Sequence, residues 1–186
     1  MLYFETVYPE TLELLKKLQN LKSLSQFSLA RGTALSLYYG HRISIDLDLF
    51  TNVHFKTEDV ILEINECFAK EDISIINVDE NSIFLSINEV KIDILTHRYS
   101  LLKELKFQEN EIELYAKEDI IAMKLNALAN RGTKKDFFDI YEVLQEFTLV
   151  EILGFFEAKY VNNDKYYILR SLTYFEDAEK DINPIM

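Results

Sequence analysis

The chain has 186 residues, 48% apolar and 13% aromatic, with 4 Gly, 2 Pro, 1 Cys and a formal net charge of −12. That is enough sequence to bury a sizeable interior as one domain, and the composition excludes disorder and collagen-like or linker-rich organisation. An acidic chain does not coat nucleic acid by bulk electrostatics, no apolar run approaches the roughly 18 residues of a membrane span, and the start MLYFETVYPE lacks the features of a secretory signal. A cytoplasmic setting is therefore expected, with no membrane partner, and with Cys67, which has no disulfide partner, as a buried thiol.

In chain order, Pro9 followed by ETLELLKKLQNL predicts an amphipathic first helix with proline at its first position. Residues 26 to 30 read as a short strand and Thr33 to Tyr39 as a short helix ended by Gly40, and residues 43 to 50 follow as a strand. Val60, Ile61, Ile64, Cys67 and Phe68 recur at helical spacing from Thr57, which is available as an N-cap. The runs ISIINV, SIFLSI and VKIDIL, separated by short polar breaks, predict an antiparallel meander over 73 to 95. From about Glu118 onward the pattern is helical. Its apolar stripes are Ile121, Leu125 and Leu128, then Phe137, Ile140, Tyr141, Leu144 and Phe147, then Leu153, Phe156 and Tyr160. A final helix is expected from Asp164 into YFEDAEKD. The fold class is α+β, with no internal repeat and no linker.

The chemistry concentrates at Asp46 and Asp48. On an extended strand the two share a face with roots about 7 Å apart, and like charges so close need a neutralising group; a hard divalent cation with oxygen ligands is the usual one. Upstream, Gly32-Thr33 lies between a strand and a helix, where first-turn N–H groups form an anion site suited to a triphosphate; an ordinary turn with a threonine cap is the plainer reading. Asp93 offers a third acid on the last meander strand, opposite in parity to Val90, Ile92 and Ile94. Between Ala116 and Lys135 five cations face two carboxylates, so a local anion site survives in an acidic chain. Lys124 and Arg131 are two helical turns apart on one face, Lys124 either reaching a triphosphate or snorkelling to water. Thr133-x-x-Asp136 fits a capping box. No spacing among His41, His54, His97 and Cys67 suggests a zinc site.

The order strand, Gly-Thr, helix, Asp-x-Asp strand resembles the nucleotidyltransferase superfamily, and RGTALSLYYGHRISIDLDLF resembles the version in the AbiEii/AbiGii toxin family. EDIIAMKLNALANRGTKKDFFDIYEVL and SLTYFEDAEKDINPIM resemble that family's helical half and its ending in a compact subgroup. Arg31 is a departure, standing where members commonly carry a second glycine, and the short helical half is another. The resemblance implies a nucleotidyltransferase core over residues 1–115 and a helical half over 116–186, packed as one compact unit with the cleft between them. It further implies Mg2+, with Mn2+ as an alternative, held by Asp46, Asp48 and Asp93, the last as third ligand or as base for the attacking hydroxyl. Catalytic roles would extend to Lys124 and Asp136, with Asp139 secondary. Gly32, Thr33, Arg42, Ser44, Lys124 and Arg131 would contact the nucleotide, Arg42 and Ser44 matching the family's Arg-x-Ser word. A basic rim of Arg31, Arg42, Lys134 and Lys135 would hold the acceptor. The expected activity moves a nucleotide from NTP to an acceptor, the tRNA 3′ end being one, as the toxin of a toxin–antitoxin or abortive-infection pair with a cognate antitoxin. The alternatives are transfer to a small-molecule or protein hydroxyl, and a non-catalytic nucleotide-binding module.

Overall fold

A computed structural model of the protein describes residues 1–103, 107–161 and 163–186, without the side chains of Phe107 and Gln108. Among the described residues there are seven strands: β1 (Ser28–Leu29), β2 (Leu47–Thr51), β3 (Ile73–Asp79), β4 (Ser82–Ile87), β5 (Val90–Thr96), β6 (Phe107–Glu109) and β7 (Ile112–Leu114). They form one mixed sheet in the order β3-β4-β5-β2-β1-β7-β6, in which β2 pairs with β5 and β1 with β7 in parallel and every other pairing is antiparallel. The helices are α1 (Pro9–Gln19), α2 (Arg31–Tyr39), α3 (Thr57–Cys67), α4 (Lys117–Arg131), α5 (Lys134–Val143), α6 (Leu149–Lys159) and α7 (Lys165–Ser171). This is the α+β class expected, with sheet first and helices last. Among the described residues no helix is long and apolar enough to cross a membrane.

The meander forms as β3 to β5, and alternation places its faces. Ile83, Leu85 and Ile87 of β4 and Ile92 and Ile94 of β5 are buried in the core, continuous with Leu47 and Leu49 of β2. In the parallel register Leu47 pairs with Ile92, Asp48 with Asp93 and Leu49 with Ile94, so the two acids share the face opposite those apolar side chains. Helix α4 is the hub of the helical half and packs against α2, α5, α6 and α7. Being surrounded, it buries the consecutive residues Ile120, Ile121 and Ala122 as well as Leu125 and Leu128, more than the single stripe expected.

Several boundaries differ from the sequence reading. The strand expected over 43 to 50 begins only at Leu47, because residues 43 to 46 bond elsewhere. The Ile43 N–H donates to the Ile185 carbonyl at 2.8 Å, the Ser44 N–H donates to the Thr6 carbonyl at 2.9 Å, and the Thr33 hydroxyl donates to the Asp46 carbonyl. Thr57 is the first helical residue of α3 and not its cap, a position held by Lys56. Cys67 is exposed, since the buried stripe of α3 runs through Val60, Ile64 and Phe68. Tyr141 is 67% exposed because Val143 takes the core position on α5. The last helix ends at Ser171, and only a single tight turn, Ala178–Lys180, follows within FEDAEKD. Phe175 instead turns its ring onto Phe137 at 5.0 Å. The β6–β7 hairpin was not anticipated. Its strands are three residues each, too short to show a period, and its turn places Asn110 and Glu111 at φ 50° and 67°.

Candidate active site

The cleft opens where the ends of β1, β2 and β5 meet the start of α2 and the inner faces of α4 and α5. One recess of about 100 Å³ is lined by Gly32, Thr33, Arg42, Ser44, Asp46, Asp48, Asp93, Lys124 and Arg131, together with Arg31, Lys91 and Lys135. The fold thus gathers residues separated by more than a hundred positions in sequence. Of the site residues named from sequence, Asp136, Asp139 and Lys134 do not line this recess.

Asp48 and Asp93 stand side by side on adjacent strands, and Asp46 precedes β2 at the cleft edge. Burial raises the Asp48 carboxyl above the ordinary aspartate range; the Arg31 guanidinium pulls it back down, and the charges of Asp93 and Asp46 push it up. Arg31 Nη1 donates to Asp48 Oδ1 at 2.9 Å and lies 3.6 Å from Asp93 Oδ2. Lys91 Nζ lies 3.4 Å from Asp93 Oδ1, an oxygen that is buried without a hydrogen bond. Lys91, two residues before Asp93, shares its strand face by alternation. Among the described residues the Asp46 carboxylate has no such partner, and no three acidic, histidine or cysteine side chains form a ready metal cluster. In chemistry the set still fits a hard divalent cation: oxygen donors alone, carboxylates in mutual repulsion, and an unbonded buried oxygen. Arg31 and Lys91 meanwhile carry the positive charge that a cation would bring.

Behind the acids lies a buried ionic hub. Lys124, 3% exposed, sits 2.6 Å from Asp139 Oδ2 and donates to Asp136 Oδ1 at 3.0 Å. Arg42 donates to both oxygens of Asp139, from Nε at 2.6 Å and from Nη2 at 3.0 Å, and His41 Nε2 is 2.7 Å from the same carboxylate. Arg131 grips Asp136 at 2.9 and 3.0 Å, and the Thr133 hydroxyl donates to it at 2.6 Å as α5 starts with the expected capping box. Burial pushes both aspartates upward in pKa. For Asp136 the Arg131 bond, the Lys124 charge and the Thr133 bond outweigh burial; for Asp139 the Lys124 charge and the bonds from His41 and Arg42 do so. Both carboxyls lie well below the usual range. Asp139, the secondary candidate in sequence, is the most heavily shared carboxylate of the hub.

Three of the expected nucleotide contacts carry hydrogen bonds of their own within the protein. Arg42 spends three of its five N–H donors inside the protein, two on Asp139 and one, from Nη1, on the Ile43 carbonyl at 3.2 Å, which leaves two for a ligand. The hydroxyls of Thr33 and Ser44, both in the wall of the recess, face each other at 2.8 Å, and Thr33 also donates to the Asp46 carbonyl. The backbone at the start of α2 is open to an anion as well: among the described residues no side chain caps its first turn. Gly32 has a second reason for its lack of a side chain, since a Cβ there would sit 2.7 Å from Arg42 Nη2. In the expected basic rim Arg31 and Lys135 line the cleft. Lys134 does not, because its ammonium is taken by the Glu179 and Asp181 carbonyls and the Asn183 side chain.

Comparison with known proteins bears on this arrangement. Residues 13–184 match the family described as nucleotidyl transferase AbiEii toxin, type IV TA system. An uncharacterized protein of Aquifex aeolicus is 31% identical over 179 residues, covering 93% of this chain and 85% of that one. Among the solved structures that share the fold are two that show its range. One, from H. pylori and assigned as a nucleotidyltransferase, has a TM-score of 0.52 at 15% identity and covers 89% of this chain and 92% of its own. The other, ANT(2″)-Ia in complex with adenylyl-2″-tobramycin, has a TM-score of 0.50 at 13% identity, covering 80% and 97%. With the fold, the acid pair and a match over nearly the whole length in agreement, the chain belongs to the AbiEii nucleotidyltransferase toxin family and is a nucleotidyltransferase.

Proposed function

We propose that this nucleotidyltransferase uses Asp46, Asp48 and Asp93 to hold Mg2+, or Mn2+ in its place, and transfers a nucleotidyl group from NTP to the 3′-terminal hydroxyl of a tRNA. The observation that carries the reading is the Asp48–Asp93 pairing in parallel register, facing the uncapped start of α2 across the cleft. Bound metal would supply charge neutralisation for the triphosphate and polarise its α-phosphate. The first-turn N–H groups at Gly32 and Thr33 hold the phosphates. Lys124 has two of its three donor directions fixed by Asp136 and Asp139, and directs the third at the triphosphate; Arg131 adds its charge beside it. Asp93 accepts the proton of the acceptor hydroxyl or serves as third ligand. The new bond forms between the acceptor oxygen and the α-phosphorus as the bond to the leaving pyrophosphate breaks.

A recess of 100 Å³ suits phosphates and an ion but is smaller than a nucleotide pocket of at least roughly 300 Å³. Two wider recesses adjoin it. One of about 380 Å³ shares Arg131 and includes Tyr167, Arg170 and Tyr174; the other, about 460 Å³, shares Arg42, Ser44, Asp46 and Lys135. In this reading they take the nucleoside and the acceptor. Residues 1–115 then supply the acids and the phosphate turn, and residues 116–186 supply Lys124, Arg131 and Asp136. The protein works in the cytoplasm, restrained by a cognate antitoxin as the family description implies. A small-molecule hydroxyl is the second reading, favoured by the adenylylated tobramycin carried by the fold neighbour.

The test incubates the protein with labelled NTPs, Mg2+ and either total tRNA or aminoglycosides. Label on tRNA that disappears with Asp48→Asn is expected, and that variant should melt no lower than the parent, because it removes a carboxylate whose ionised form is disfavoured. Label confined to the drug would move the assignment to the second reading, and undiminished tRNA labelling by Asp48→Asn would remove the acids from the mechanism.

A further inference from the structure

Arg31 is anomalous twice. Its backbone lies at φ +56°, in the left-handed region that favours glycine, at the first position of α2. From there its guanidinium crosses the Phe50 ring, 4.7 Å from the centroid, and enters between the two central acids, 2.9 Å from Asp48 and 3.6 Å from Asp93. A side chain that only decorated the rim would have no reason to impose that backbone. One that neutralises a pair of adjacent carboxylates on the sheet does, since charge-assisted bonds to partly buried oxygens offset the strain.

We propose that Arg31 is a resident counter-ion at the metal position of the Asp48–Asp93 pair, and that a divalent cation binds there only by displacing it. The inference rests on the reading of these acids as metal ligands. The competition is chemical: Arg31 Nη1 donates to Asp48 Oδ1 and lies 3.6 Å from Asp93 Oδ2, so a divalent ion seeking the same oxygens meets a positive charge already in place, and the two cations repel. The Arg31 side chain is 41% exposed, so it has room to leave. On the Phe50 face, its charge would remain beside the cleft and would serve the phosphates arriving with the metal. Arg31 would then be a positioning residue that keeps the acid pair ordered without metal and makes the site weak for metal alone.

Mn2+ affinity measured calorimetrically on the full chain, for the parent, Arg31→Gly and Arg31→Lys, tests this. Glycine suits the backbone at φ +56° and removes the competing cation, so Arg31→Gly should bind Mn2+ about tenfold tighter, the equivalent of losing one charge-assisted hydrogen bond from the competing state. Arg31→Lys should stay near the parent. A second readout needs no metal: in EDTA, a double-mutant cycle of Arg31→Gly with Asp48→Asn should show the two positions energetically coupled in thermal unfolding. Mn2+ binding that is lost with Asp48→Asn yet no tighter in Arg31→Gly would overturn the counter-ion role and leave the metal site standing. Binding indifferent to Asp48→Asn in every variant would overturn the metal site and the counter-ion role together. Coupling absent from the EDTA cycle would count against the Arg31–Asp48 pairing whatever the metal does.

Discussion

Asp139 illustrates how one buried carboxylate can hold several cations of a cleft wall in place. It holds Lys124, Arg42 and His41 at once, and removing its charge would leave cations buried without a counter-charge. Asp139→Asn should therefore cost about 3–5 kcal/mol in urea unfolding, the usual loss on breaking one side of a buried ion pair. Lys124→Ala should be comparably severe, because it strands two aspartates, so a loss of transfer in that variant is informative only beside its stability. Gly32→Ala is expected to cost about 1–3 kcal/mol by driving Arg42 off Asp139, measured in the same way. If Gly32→Ala proves as stable as the parent, the tight packing of Arg42 on the glycine is not rigid. Lys124, Asp136 and Gly32 could be found from sequence by spacing and family resemblance. The spending of Arg42 on Asp139 could not, because the two are 97 residues apart and no local rule links them.

At the scale of elements, α5 is the clearest case of local instruction. Thr133 and Asp136 form its capping box, and the same aspartate faces back to Lys124 and Arg131, so the helix start and the ionic hub behind the cleft share one carboxylate. Thr133→Ala should cost about 1 kcal/mol from the cap, and should weaken NTP binding as well if the Asp136 geometry sets Lys124; equilibrium dialysis with NTP separates the two effects. The meander also follows from its alternation and polar breaks, and its Asn88-Glu89 turn has φ of 49° and 67°, the hairpin geometry expected of a two-residue connection. Strand β2 begins later than its pattern suggests, since residues 42 to 46 find tertiary partners before they can find a ladder.

For the molecule as a whole, stability should change with acid in two stages. His97 stacks on Phe50 and meets Tyr99 and Tyr160; burial lowers its pKa from 6.5 to about 4, with the charges of Lys159 and Arg31 adding to that effect. The folded state prefers the neutral ring, so its contribution is intact above pH 6.5 and is lost as pH falls toward 4, by about 2 kcal/mol after allowance for partial exposure. Asp136 and Asp139, held below the usual carboxylate range, lose their contribution only below about pH 4. Melting temperatures should decline through both windows, and His97→Phe, which keeps a ring against Phe50, should flatten the first and leave the second. An unchanged slope above pH 4 in that variant would take the histidine out of the account.

The sequence by itself determined the α+β class, the meander, the first helix, the helical second half and the strand positions of Asp48 and Asp93, because each of these is written in short-range periodicity, turn residues or a compact motif; Asp46, expected on the same strand face as Asp48, precedes the strand. It also carried the family. The tertiary structure alone decided which donors remain free for a ligand. Whether Asp48 meets Asp93, how far Arg42 is spent and where Arg31 points depend on strand register and on partners far along the chain, and hydrogen-bonding capacity is shared out only when those partners arrive.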